Sequence, residues 1–222
     1  MSWALTDFEK HLSDRLQVTL PDRADALFAT FVATRDKVID EIEQIRAVEP
    51  QLSDHGPKHI RNVFDNVVGL ITTDHNIHGL SAHDLYLLAY IVLFHDVGNL
   101  MGRKGHHLNI PEVYDWARGT SPSVRREKSL VLRAARAHTG VTSNGNPDTL
   151  AEVPESDHFD GQPVQLQTLA AVLRFADELA EGPQRTTDFF RTHCGYDPAA
   201  RPFHEYAACT HVSIDRAHER SI

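Results

Sequence analysis

The run Leu85-Tyr86-Leu87-Leu88-Ala89-Tyr90-Ile91-Val92-Leu93-Phe94 carries no charge and ends on His95-Asp96. A helix built from it has no polar face, so it must be covered on every side. About ten residues are too few to cross a bilayer. The polar dyad at its inner end then needs partners, because burying such groups unpaired costs roughly 2–7 kcal/mol each. A metal ion is one such partner. With 15 histidines a His-Asp dipeptide also arises by chance, and His83-Asp84 is the internal comparison. That second dyad follows Ser81 at the head of the run, where polar residues start helices, and reads as an ordinary helix start.

Nearly every other strong pattern has helical period, which predicts an all-α fold. Asp7 to about Val18 is a short amphipathic helix. Pro21-Asp22 opens a long one to about Val48, with Leu27, Phe28, Phe31, Val32, Val38, Ile39, Ile42 and Ile45 at three- and four-residue steps. Glu41, Glu43 and Arg46 suit its solvated face, and Pro50 ends it. Ser53 or Asp54 caps the next helix, with Pro57 in its first turn, and it runs to about Thr73 over Ile60, Val63, Val67 and Leu70. The central helix spans 81–97, a Gly-rich polar loop 98–105, and further helices about 121–137 and 164–181. The stretch 140–163 is long, polar and Pro/Gly-punctuated, and its Asp157-His158-Phe159-Asp160-Gly161 reads as a surface loop or as a pocket wall. After Arg201 the signal weakens. His211-Val212-Ser213-Ile214 fits a short C-terminal strand, in a small appended element or a chain cut short of one.

Along these helices runs an ordered series of metal-binding types: His55 and His59, His95-Asp96, His106-His107, His138, and Asp177. Divalent transition metals prefer imidazole and carboxylate, and a metal so held makes hydroxide from water near neutral pH. His59 shares a face with Val63 and Asn66; alone, it also fits a satisfied core histidine. His138 ends a helix, where the dipole favours it with or without metal. Asp177 sits in an apolar stretch, where a carboxylate wants a cation, and Arg174 one turn back is the structural alternative. Spacing does not choose between His106 and His107.

Net charge is −9 with histidines neutral, which excludes a general nucleic-acid footprint and leaves an anionic substrate to local positive charge. Two cysteines, Cys194 and Cys209, make no disulfide scaffold, and Met1 to Asp7 lacks a basic, hydrophobic signal. A reducing cytoplasm and no membrane partner are the expectation; oligomeric state is open, and a homodimer is compatible.

The order His … His-Asp … His … His … Asp resembles the HD superfamily of metal-dependent phosphohydrolases, over roughly Leu52 to Arg185. Leu93-Phe94-His95-Asp96-Val97-Gly98 is similar to the family's dyad. Val97-Gly98 through His106-His107, and Leu173-Arg174-Phe175-Ala176-Asp177-Glu178-Leu179, resemble HD domains attached to exopolyphosphatases. His55-Gly56-Pro57-Lys58-His59 is similar to the cyclic-nucleotide phosphodiesterase pattern of proton donor and metal ligand. The resemblance implies a helical bundle with the HD domain at 51–195, N-terminal helices at 1–50 packed on it, and a C-terminal extension at 196–222. It implies one or two divalent transition ions, iron, manganese or similar. The first would be held by His59, His95, Asp96 and Asp177. The second would be held by Asp96 as a bridge, by His106 or His107, and by His138. Many HD hydrolases carry Lys three residues after the dyad; here Asn99 stands there, and Lys58, Arg103 and Lys104 are the candidate substitutes for substrate binding.

The implied function is a metal-dependent phosphohydrolase or phosphodiesterase acting on a small phosphorylated substrate such as a nucleotide. Asp96 would bridge the ions and His55 would protonate the leaving oxygen. The alternatives are a catalytically impaired, metal-bound sensor or regulatory module, and a dinuclear-iron oxygenase.

Overall fold

The computed structural model describes residues 3–73, 76–77, 79–142, 145–215 and 220–221. The fold is all-α, with three two-stranded hairpins among the described residues. Its centre is helix α5 (Ala82–Phe94), in which every residue is buried. Around it pack α1 (Asp7–Thr19), α2 (Ala24–Ile42), α4 (Pro57–Ile71), α7 (Arg125–Arg136) and α8 (Leu166–Glu178). By length and composition Ala82–Met101 could cross a membrane, but 89% of its apolar window is buried inside the protein, so it is the core helix.

The start of α5 behaves as its sequence says. Ser81 is the N-cap and forms a capping box with Asp84. The other oxygen of Asp84 accepts the backbone N–H of Gln165 at 2.8 Å, which joins the start of α5 to the start of α8. His83-Asp84 is therefore a structural dyad.

Elsewhere the boundaries differ from expectation. The long second helix breaks after Ile42 and resumes as α3 (Ile45–Val48). No proline or glycine marks the break. Its effect is to dock α3 on the 3-10 turn Val97–Met101, where Glu49 accepts the backbone N–H of Arg103 at 2.7 Å. Neither Ser53 nor Asp54 caps α4. Gly56 is its N-cap, and Asp54 Oδ1 accepts the Gly56 N–H at 3.1 Å. After Ile71 the chain leaves the helix for a hairpin, β1 (Thr72–Thr73) with β2 (Asn76–Ile77).

Helix α6 (His106–Arg118) is not foreshadowed by the sequence, because Pro111 lies inside it. Proline supplies no N–H, so it frees the carbonyl four residues back, that of His107. Arg136 of α7 fills the vacancy: its Nε donates to His107 O at 3.1 Å. The stretch at 157–164 is a hairpin, β3 (Asp157–Phe159) with β4 (Gln162–Val164). Asp160 and Gly161 both take positive φ, the geometry of a tight Asp-Gly turn. Phe159 stacks on Tyr86, its ring centroid 6.0 Å away. Near the C-terminus a further unforeseen helix appears, α9 (Arg201–Cys209), anchored by buried His204, whose ring nitrogens face Thr186 Oγ1 and Gln51 O at 3.0 Å each. The strand expected at 211–214 is displaced: β5 (Ile214–Asp215) pairs with β6 (Arg220–Ser221).

Buried Glu127 pins α5, α6 and α7 together. It takes a two-point bond from Arg118, at 2.9 and 3.0 Å, and hydroxyls from Tyr86 and Tyr114. Removing one partner of a buried pair leaves a charge uncompensated. Arg118→Ala should therefore lower unfolding free energy by roughly 3 kcal/mol, read from urea denaturation. An unchanged midpoint contradicts this role.

Candidate metal centre

Five helices deliver the residues. His59 comes from the first turn of α4, His95 is the C-cap of α5, and Asp96 begins the turn that follows. His106 opens α6, His138 lies just past the end of α7, and Asp177 is in the last turn of α8. Gly98 makes the convergence possible. A Cβ built there would sit 1.8 Å from the backbone oxygen of His106. Only a residue without a side chain lets the start of α6 cross so close to the dyad.

Asp96 is the hub. Its Oδ2 faces His95 Nε2 at 3.3 Å, His59 Nε2 at 3.5 Å and His55 Nε2 at 3.7 Å. Its Oδ1 faces His106 Nε2 at 3.3 Å and His138 Nε2 at 3.6 Å. Asp177 Oδ1 completes the first side, 3.1 Å from His59 Nε2 and 3.6 Å from His95 Nε2. Two groups result, His59–His95–Asp96–Asp177 and Asp96–His106–His138, each of which could hold a metal ion. They share Asp96, one carboxylate oxygen to each.

The donor chemistry fits a cation. The Nδ1 atoms of His95, His106 and His138 face backbone carbonyls of Val92, Arg103 and Ala135, at 2.8, 3.3 and 2.5 Å. A carbonyl accepts only, so those nitrogens carry the hydrogens, and in the neutral ring Nε2 is a lone pair. The lone-pair nitrogens then confront one another, His59 against His95 at 3.3 Å and His106 against His138 at 3.4 Å, across two carboxylates. Without positive charge between them this arrangement repels itself. The electrostatics point the same way. Burial opposes protonation of His95, yet Asp96 and Asp177 outweigh it and push its pKa up to about 10. Burial would raise both carboxyls, but positive charge on His95 chiefly, with His55 for Asp96 and His59 for Asp177, holds each well below the usual range.

Asn99 does not reach toward solvent as a substrate-binding residue would. It is fully buried, and its Nδ2 donates to the Asp96 carbonyl at 2.9 Å and to Asp96 Oδ1 at 3.1 Å. Exposed Arg103 backs it, donating to Asn99 Oδ1 at 3.4 Å. Such outer partners orient a ligand. Asn66 does similar work for the far helix, donating to Ala176 O at 2.9 Å, beside Asp177.

His107 lies outside both groups, half-buried and edge-on to His106. Burial, then His106, His138 and Arg136, hold its pKa below the ordinary value. Lys58 and Lys104 are exposed. Arg174 is not the counter-ion of Asp177; its Nη1 donates to Thr149 Oγ1 at 3.2 Å.

His55 is buried at the edge of the first group. Its Nδ1 donates to Ser53 O, and its Nε2 accepts from Arg185 Nη2 at 2.9 Å. Burial is the main reason its pKa falls to about 3, with Arg185 and His59 assisting against the pull of Asp96. Arg185 went unnoticed in the sequence. It is buried, donates from Nε to Asp54 O at 3.2 Å, and has Glu181 3.6 Å away. The one hint was its place after the Gly182-Pro183 stop that follows the Asp177 helix.

A family model described as HD-CE matches residues 49–221. No curated protein and no solved structure matches the chain.

Two outcomes test the centre. Asn99→Leu should weaken metal affinity about 10- to 100-fold, read by competition with a chromogenic chelator; unchanged affinity contradicts the orienting role. The second concerns pH. The His95 pKa is raised from 6.5 to about 10. Its contribution to the metal-free fold is therefore complete below pH 6.5 and lost as pH rises through about 10. Metal binding displaces that proton, so adding metal at pH 8 should release protons, measurable by calorimetry in buffers of different ionisation enthalpy. No proton release contradicts the assignment.

Proposed function

This chain belongs to the HD-CE family, and from that premise we propose a metal-dependent phosphoester hydrolase acting on a nucleotide or a related small phosphoester. The observation that supports the reading is the Asp96 carboxylate, one oxygen turned to each of two histidine-containing groups. Bound there, divalent transition ions would supply hydroxide from water and offset charge on phosphoryl oxygens.

The protein's own residues do the rest. His59, His95 and Asp177 hold one side, His106 and His138 the other, and Asn99 keeps Asp96 turned between them. Arg185 supplies the positive charge that Asn99 cannot and orients the substrate's anionic oxygens. His55 remains the candidate proton donor. Burial and Arg185 hold its ring neutral; once substrate charge draws the Arg185 N–H from Nε2 and offsets the guanidinium, that nitrogen takes a proton from solvent water. As the P–O bond breaks, His55 gives that proton to the leaving oxygen and returns to neutral.

Asp96→Asn should abolish turnover of a nucleotide panel by protein purified without a histidine tag, while circular dichroism stays helical. Full activity in that variant rejects the proposal. Oxygen consumption without phosphate release would point instead to an oxygenase, and ligand-induced stabilisation without product to a sensor. His55→Ala should slow an alkyl phosphoester about 100-fold and an aryl one by less than about tenfold, since only the poor leaving group needs the acid. Equal slowing of both removes His55 from the donor role.

A further inference from the structure

Beside the second group a cleft of about 460 Å³ opens between α6, α7 and the segment after His138. His107 and Thr139 line it, each adjacent in sequence to a member of that group. So do Ser129, Arg133 and Arg136, which recur at helical spacing along one stripe of α7. In a chain of net charge −9, α7 carries five cations and one acid. That acid, Glu127, is taken by Arg118. Lys128 is paired with Asp115 at 2.5 Å. Arg133 and Arg126 share one carboxylate, Asp157. Arg136 is held by its Nε to His107 O, and its terminal nitrogens take no acceptor among the described residues. The Pro111 gap in α6 thus fixes a guanidinium with its fork free. Glu152 is the one acid among the described residues lining the cleft, and it is exposed.

We propose that this cleft binds a second phosphate of the substrate, so that the preferred substrate is a phosphoester with a further phosphate-bearing arm. Arg136 is the fixed anchor, Arg133 adds charge, and Ser129 and Thr139 supply hydroxyl donors. Guanidinium forks match phosphate oxygens two at a time, which a solvated lysine does not. The proposal rests on the phosphoester reading, and its test separates the two.

The probe is inorganic tripolyphosphate, titrated calorimetrically against the wild type, Arg136→Gln and Arg133→Gln, each also combined with Asp96→Asn. Either arginine change should weaken binding about tenfold in both backgrounds, and added salt should weaken the wild type further. Arg133 is exposed, so its variant keeps the test alive if Arg136→Gln unfolds. In parallel, kcat/KM is compared for bis(p-nitrophenyl) phosphate and for the terminal p-nitrophenyl ester of adenosine triphosphate. The ratio favouring the longer substrate should fall about tenfold in Arg136→Gln, mainly through KM. Tripolyphosphate binding that ignores both arginines overturns the cleft, even if hydrolysis is found. Arginine-dependent binding with no hydrolysis of either ester supports the cleft and rejects the hydrolase.

Discussion

The structure depends on one negative charge placed where water cannot reach it. Asp96 is buried at the end of the most apolar helix in the chain, and its carboxyl stays ionised only because positive charge surrounds it. Five imidazoles within 3.3–3.7 Å cannot supply that charge as neutral rings. A proton on His95 or a bound cation can. Helices α4, α5, α7 and α8, which build the core, also carry the ligands or end beside them, and α6 adds His106.

The other buried charges make the contrast. Glu127 has Arg118 and two tyrosine hydroxyls; Glu9 has Arg35, the Trp3 indole N–H at 3.1 Å and the Thr6 backbone N–H at 2.6 Å. Each carboxylate there meets donors only. At Asp96 and Asp177 the neighbours are nitrogens that also confront each other. His59 Nδ1 is moreover buried with no hydrogen-bond partner among the described residues, which leaves its Nε2 as the nitrogen turned to the centre. That difference sets the two groups apart as ones that could hold a metal ion.

Much of this was legible in the sequence, and the reason differs by residue. The apolar run 85–94 forces a central helix, so His95-Asp96 is buried by arithmetic of hydrophobicity alone. Ser81 identifies His83-Asp84 as a cap. His59 and Asp177 follow from their apolar faces. The choice of His106 over His107 was not legible, because it turns on the crossing at Gly98, which only the packed backbone reveals. Helix α6 hid behind Pro111, whose missing bond is compensated from α7, a residue 25 positions further on. The surroundings of Asn99 and the presence of Arg185 were illegible for a similar reason. Asn99 looks like a lost lysine in one dimension, but burial turns it onto Asp96, while positive charge arrives at His55 from beyond the last ligand helix.

The most direct test is anomalous diffraction at a transition-metal edge from crystals of untagged protein. A peak is expected enclosed by His59, His95, Asp96 and Asp177, with a second ion, if two bind, between Asp96, His106 and His138. Well-ordered side chains with no anomalous density, and imidazoles satisfied by water or turned apart, would contradict it.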